Sequence, residues 1–199
     1  MLANLTLLVA AYLIGSIPFA VVASRLFKLP DPRSYGSGNP GATNVLRSGS
    51  KGAAIVTLIG DCLKGWFAVW LALRLGFTPG MAALAGLAAF FGHVFSIFLR
   101  GKGGKGVATA LGVIAGIDLT LAGIVLLVWL VTAFTTRYSS LAALLAAAAG
   151  PLAALILLDD LTTIGVLFAL AAMLFWRHAA NIERLRNGTE SRIGKKKAS

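Results

Sequence analysis

Charged side chains are scarce in this chain of 199 residues. They make up 13% of it, against about 25% in a soluble domain, which excludes water as the main solvent of its surface. Acidic residues are scarcer still: seven Asp and Glu face 18 Lys and Arg, for a net charge of +11. Cysteine occurs once, at Cys62, so no intrachain disulfide can form and the redox compartment is not indicated. The chain has two histidines, and no His, Cys and Asp group has the spacing of zinc ligands. Gly-x-Ser-x-Gly does not occur, which removes the strained nucleophile turn of one large hydrolase class. No basic residue precedes Arg25. A secretory signal peptide needs a basic start, so the first apolar run is expected to stay as a helix.

What the chain has in abundance is apolar sequence, 58% of its residues. The apolar runs cover 2–27, 53–75, 79–99, 107–117, 119–135, 139–158 and 161–176. A bilayer is spanned by about 20 apolar residues in a helix. The pattern predicts an all-α integral membrane protein with about seven transmembrane helices in a single polytopic domain. The run 107–117 is short for a full crossing, which leaves five or six crossings open. Abundant Gly and Ala suit close helix packing in lipid. No internal repeat is visible.

Charge alternates between the connections. Arg25, Lys28, Arg33, Arg47 and Lys51 follow the first run, Arg100, Lys102 and Lys105 the third, Arg137 the fifth, and a basic tail the last. Only Lys64 and Arg74 fall elsewhere. Basic residues collect on the cytoplasmic side, so the N-terminus is expected outside and the C-terminus inside. Residues 187–199 read as a polar, mobile cytoplasmic tail. The basic balance of so apolar a protein points to anionic headgroups or anionic substrates rather than nucleic acid.

Four polar constellations interrupt the apolar runs. The first is Gly36-Ser-Gly-Asn-Pro-Gly-Ala-Thr-Asn44, flanked by Arg33 and Arg47. Its glycines let backbone approach a ligand, Ser37, Asn39, Thr43 and Asn44 bring neutral hydrogen-bonding groups, and the arginines bring planar forks that fit phosphate. A plain connector would not need so many distinct side chains. The second runs from Gly92-His93 to Arg-Gly-Lys-Gly-Gly-Lys-Gly106. Lys102 and Lys105 sit among glycines just before an apolar helix, where free N–H groups favour an anion. It is not a nucleotide P-loop, since Val107 and Ala108 stand where Lys and Ser or Thr are needed. His93 reads equally well as a packing residue or a ligand. The third is His178-x-x-Asn181, with Arg184 and Glu190 beyond it; His178 and Asn181 share a helical face, although a basic amphipathic tail would look similar. The fourth is Asp61 and Lys64, three apart within an apolar run and able to pair; such buried charges are costly and mark either function or structural pairing.

These motifs, in this order, resemble the bacterial acyl-phosphate:glycerol-3-phosphate acyltransferase family, the PlsY family. The resemblance covers residues 15–194, with no departure at the motif positions. It implies transfer of a fatty acyl group from acyl phosphate to the 1-hydroxyl of glycerol 3-phosphate, giving lysophosphatidic acid and phosphate for phospholipid synthesis. By position it implies acyl-phosphate contacts from Ser37, Asn39, Arg47 and the 103–106 loop with Gly103, Gly104 and Gly106. It implies glycerol 3-phosphate contacts from Lys105, His178, Asn181 and Ser140. Ser37, Arg47, Lys105, His178 and Asn181 are the expected catalytic set. Gly36, Gly38, Thr43, Asn44, His93, Lys102 and Arg184 are expected to line the substrates, Glu190 to organise the third motif, and Asp61 and Lys64 to support. Which loop holds which phosphate stays open. No cofactor, metal or nucleic acid is expected; the partners are the two substrates and membrane lipid, and the chain is expected to act as a monomer in the bacterial inner membrane. The His-x4-Asp pair of many glycerolipid acyltransferases is absent, since Phe98 and Glu183 stand five residues after the two histidines. A transporter for a phosphate-bearing solute is the competing class. It would carry its polar groups at the membrane midplane, where only Asp61 and Lys64 qualify.

Overall fold

The structure, a computed structural model, describes residues 1–194. Its described residues form ten α-helices: α1 Leu2–Ser16, α2 Phe19–Leu26, α3 Ala42–Leu46, α4 Lys51–Arg74, α5 Pro79–Val94, α6 Val107–Ile117, α7 Leu119–Thr136, α8 Ser139–Leu157, α9 Leu161–Arg177 and α10 Ala179–Arg186. A single 3-10 turn, Ile97–Leu99, follows α5.

Helix ends follow local chemistry. Ser50, Thr78, Asp118 and Asp160 each accept an N–H bond at the start of α4, α5, α7 and α9, as small polar caps do. Pro18 divides the first apolar run into α1 and α2. Proline offers no N–H and forces the residue before it out of the helical region; Ile17 is extended, with ψ 118°. The break leaves carbonyls at Ser16 and Ile17 to be satisfied within the bundle. Ser96 Oγ donates to the Ser16 carbonyl at 2.6 Å, and Lys64 Nζ donates to the Ile17 carbonyl at 2.8 Å.

Glycine sets the tightest crossings. A methyl group on Gly15 would sit 1.9 Å from the Ala89 carbonyl, and one on Gly92 would sit 2.1 Å from the Tyr12 carbonyl. These two sites lock α1 against α5. Gly65 and Gly112 do the same for α4 and α6, against Thr109 and Cys62. Such small-residue contacts replace the hydrophobic drive that lipid does not supply. The outer surface carries many large apolar side chains, among them Leu127, Phe134, Leu152 and Ile156, while alanine, valine, Phe90, Leu121, Leu167 and Leu170 fill the interior with a smaller number of polar groups.

By length and composition, five stretches can each cross a bilayer: Leu2–Leu26, Lys51–Arg74, Pro79–Leu99, Leu119–Thr136 and Ser139–Leu157. Leu161–Arg177 and Ala179–Arg186 qualify together as a sixth, bent by 58°. Helix α6, the shortest expected span, has 11 residues, a length of about 16 Å. The chain is a multi-pass membrane protein. The tail differs from the expectation of a free polar segment: up to Ile193 it is hydrogen-bonded back onto the helices. Residues 195–199 of that expected tail lie outside the described residues.

Candidate active site

The first polar loop is built around one side chain. Asn44, on α3, is 2% exposed. Its Oδ1 accepts the Ser37 N–H at 2.9 Å, and its Nδ2 donates to the Pro32 carbonyl at 2.6 Å and the Tyr35 carbonyl at 3.2 Å. Gly36 has φ +62°, and a methyl group there would lie 2.2 Å from Asn44 Oδ1, so only glycine lets the loop close on the amide. Asn44 was expected to line a substrate. Its amide is instead spent on the loop's own backbone, leaving Ser37, Gly38 and Thr43 exposed on the rim and Asn39 half-buried. Arg33, expected as a second phosphate fork, is paired with Asp31 at 2.6 Å. The Arg47 fork stays exposed: its Nη1 reaches Asn44 Oδ1 at 3.4 Å and its Nη2 donates to Ser191 Oγ at 2.7 Å.

The second loop folds over the end of α5. The Gly103 N–H donates to the Val94 carbonyl and the Gly104 N–H to the His93 carbonyl, so neither amide is free for an anion. Both glycines are set by close packing, since a methyl group would strike His93 in either case. Arg177 Nη2 donates to the carbonyls of Gly103 and Gly104 at 3.2 and 3.4 Å. Gly106, at φ +92°, opens α6, whose first N–H groups have no partner within the helix. Lys105 is half-buried and its Nζ donates to Asn181 Oδ1. Burial pushes the Lys105 ammonium down to about 8, with Glu190 opposing the fall and Arg184, Arg177 and Arg47 adding to it. Lys102 stands apart. It is exposed and lines a wide groove with Arg33, Phe98, Leu99 and Arg100.

The third motif is organised by Glu190. Its carboxylate accepts from Ser140 Oγ at 2.7 Å, Asn181 Nδ2 at 2.6 Å and Arg184 Nε at 2.6 Å. Burial raises its pKa, but these three donors outweigh burial and hold it below the usual carboxylate range. His178 is 3% exposed, and its Nδ1 lies 2.8 Å from the Leu174 carbonyl. With the proton on Nδ1 toward that carbonyl, Nε2 is left as an acceptor.

Three sequence segments far apart in the chain therefore meet. Arg47 joins the first to the third through Ser191, and Lys105 joins the second to the third through Asn181. Ser140 joins the start of α8 to Glu190, and Thr43 Oγ1 lies 3.3 Å from the neighbouring Ser139 Oγ. His93 is not among these contacts. It is buried beneath the second loop with Asp61 and Lys64: Lys64 Nζ lies 2.7 Å and His93 Nδ1 3.4 Å from Asp61 Oδ1. The pairing expected for Asp61 and Lys64 is present, and it braces the break at Pro18. Arg177, which opens the third polar constellation in the sequence, is brought onto the second loop, while Ser139 and Ser191 carry no spacing pattern that one sequence could reveal.

The family model described as glycerol-3-phosphate acyltransferase matches residues 5–188. The chain belongs to this family. Among its relatives, the glycerol-3-phosphate acyltransferase of Aromatoleum aromaticum is 63% identical over 194 residues, covering 98% of each chain. That of Methylobacillus flagellatus is 52% identical, covering 97% of this chain and 98% of the relative. Two crystal structures of PlsY, an integral membrane glycerol 3-phosphate acyltransferase, superpose closely. The glycerol 3-phosphate form has a TM-score of 0.91 at 36% identity, and the lysophosphatidic acid form 0.90 at 35%. Each covers 96% of both chains. Family membership thus agrees with the resemblance read from the motifs, and the fold is shared almost end to end.

Proposed function

We propose that this protein transfers a fatty acyl group from acyl phosphate to the 1-hydroxyl of glycerol 3-phosphate, the entry step of phospholipid synthesis. The observation that carries this reading is the convergence of Arg47, Lys105, His178 and Asn181 about Glu190 at one mouth of a lipid-embedded bundle. Two phosphate-bearing substrates need two cationic holders, and Arg47 and Lys105 belong to different loops of one site. The family's name supplies the acceptor.

In the proposed reaction the acceptor hydroxyl oxygen attacks the acyl carbonyl carbon. A carbon–oxygen ester bond forms, the bond from that carbon to the phosphate oxygen breaks, and inorganic phosphate departs. The hydroxyl proton passes to the departing phosphate, which is the stronger base at hand. An acyl phosphate is already an activated anhydride, so the protein's part is to position the groups and stabilise charge. Arg47 and the rim hydroxyl and amide of Ser37 and Asn39 hold the donor phosphate. The unpartnered N–H groups from Gly106 into α6 add to this, in place of the occupied Gly103 and Gly104 amides. Lys105, Asn181 and His178 hold glycerol 3-phosphate, with Ser140 and Arg184 set by Glu190. No protein base is required, and none is assigned.

The test is the donor. Purified protein given glycerol 3-phosphate and palmitoyl phosphate should make lysophosphatidic acid, and palmitoyl-CoA in its place should give none. Equal rates from the two donors would refute the donor assignment and leave the acceptor standing.

The protein is further proposed to sit in the bacterial inner membrane as a monomer of seven spans, with α6 as the short one. Its N-terminus faces out and its C-terminus faces the cytoplasm, because the basic connections gather on one side. Reporter fusions at Ser199 and in the Asp159–Asp160 turn should then report opposite faces. The same face for both would overturn the orientation.

A further inference from the structure

The motifs read from sequence end at Glu190, yet the chain beyond it is held at several points. Ser191 Oγ accepts from Arg47 Nη2 at 2.7 Å. Arg192 Nε donates to the Tyr138 hydroxyl at 3.2 Å, and its guanidinium lies 5.3 Å from the centre of the Tyr138 ring. The Ile193 N–H donates to the Arg137 carbonyl at 2.7 Å, and the Ile193 carbonyl accepts from Arg137 Nη2 at 3.0 Å. Arg137 closes α7 in the left-handed region, at φ +62°, a conformation that a long side chain seldom takes unless its surroundings hold it there.

We infer that residues 191–193 form a strap that positions Arg47: the Ser191 hydroxyl holds the guanidinium, and the Arg137–Ile193 clasp holds Ser191. This rests on the donor-phosphate role proposed for Arg47. An exposed arginine loses rotamer freedom when it is fixed. Arg47 has one short side-chain hydrogen bond in the described structure, and it is to Ser191; the bond to Asn44 is long. A hydroxyl at that point limits the fork's freedom before the substrate arrives, so less is lost on binding. The strap also fixes where the fork points, because Glu190, its immediate neighbour, is tied to Ser140, Asn181 and Arg184. Ser191 is thus a positioning residue, acting through Arg47 and coupling the donor side of the site to the acceptor side.

Kinetics with palmitoyl phosphate and glycerol 3-phosphate test this on the full-length protein. Ser191→Ala should raise KM for palmitoyl phosphate and lower kcat/KM for it about threefold to tenfold, the range for one lost hydrogen bond. KM for glycerol 3-phosphate and the thermal midpoint in detergent should stay close to wild type. Ser191→Thr keeps the hydroxyl and should restore the rate. Ile193→Pro removes the N–H that closes the clasp and should shift donor KM in the same direction. In an Arg47→Ala background, Ser191→Ala should add no further loss. Wild-type donor kinetics for Ser191→Ala and Ile193→Pro, beside an impaired Arg47→Ala, would overturn the strap alone. An additive loss in the double variant would overturn it too. Near-wild-type Arg47→Ala would overturn the donor role of Arg47 and the strap with it.

Discussion

Lys105→Ala should lower kcat/KM for glycerol 3-phosphate about thirtyfold to a few thousandfold. Truncating one partner of a buried, hydrogen-bonded charge contact costs about 2–5 kcal/mol, and each ~1.4 kcal/mol is a factor of ten. Two losses combine in this variant: the acceptor phosphate loses its cation, and Asn181 loses the donor to its Oδ1. Lys105→Arg distinguishes charge from shape. Burial brings Lys105 to about 8, so the ammonium is present below that pH and is lost as pH rises through it. Wild-type kcat/KM should therefore fall on the alkaline side of about 8. Arginine keeps its proton throughout, so Lys105→Arg should be slower at its best pH yet lack that limb. A wild-type profile flat to pH 9.5 would overturn the lowered Lys105 pKa, an unchanged limb in Lys105→Arg would assign the limb to another group, and wild-type kcat/KM for glycerol 3-phosphate in Lys105→Ala would remove Lys105 from the acceptor site.

Arg47→Ala should cost about tenfold to hundredfold in kcat/KM for acyl phosphate, from the roughly 1.5–3 kcal/mol of a charge-assisted hydrogen bond. Arg47→Lys should recover only part of this, because an ammonium cannot present two parallel donors to a phosphate. The comparison with His93 makes the result decisive. A histidine acting as the general base would leave a dead enzyme when replaced by glutamine, and the limb near pH 6–7 would vanish with it. His93 is instead buried against Asp61, away from the side-chain contacts that join Arg47, Lys105 and Asn181. His93→Gln should keep turnover within about tenfold of wild type, the scale of one neutral hydrogen bond. A dead His93→Gln beside a fast Arg47→Ala would reverse these roles.

Much of the architecture was legible because lipid imposes simple rules. Each apolar run is helical, but the first, expected as one helix, is divided by Pro18 into Leu2–Ser16 and Phe19–Leu26. The short run 107–117 was legible as an exception, and Val107–Ile117 is as short as its apolar residues suggest. The site was legible in its parts but less so in their division of labour. Gly103 and Gly104 read as phosphate-approach glycines, yet their amides are bonded to the end of α5; a glycine that avoids a collision and one that admits a ligand look identical in sequence. Asn44 read as a ligand contact for the same reason, since nothing local shows whether an amide faces outward or back to its own loop. Lys102 and Lys105 look equivalent from their glycines alone, and only the resemblance sets Lys105 apart; the path of the turn places Lys105, half-buried, beside Asn181 and leaves Lys102 exposed. Glu190 reads as an organiser in the sequence, and in the structure its carboxylate accepts from Ser140, Asn181 and Arg184. Ser191 was not found at all: its importance depends on a chain reversal after α10 that no spacing rule anticipates.

The break at Pro18 has a consequence for how the chain enters its membrane. The first segment precedes α4 and α5 in the chain, so until they are in place the Ser16 carbonyl lacks its Ser96 donor and the Ile17 carbonyl has only the Phe19 N–H at 3.2 Å. A bare carbonyl at that depth costs several kcal/mol, which disfavours the bent shape while the segment is alone. Its final form is therefore acquired during biogenesis, when the third apolar segment arrives and the lysine and serine close the gap.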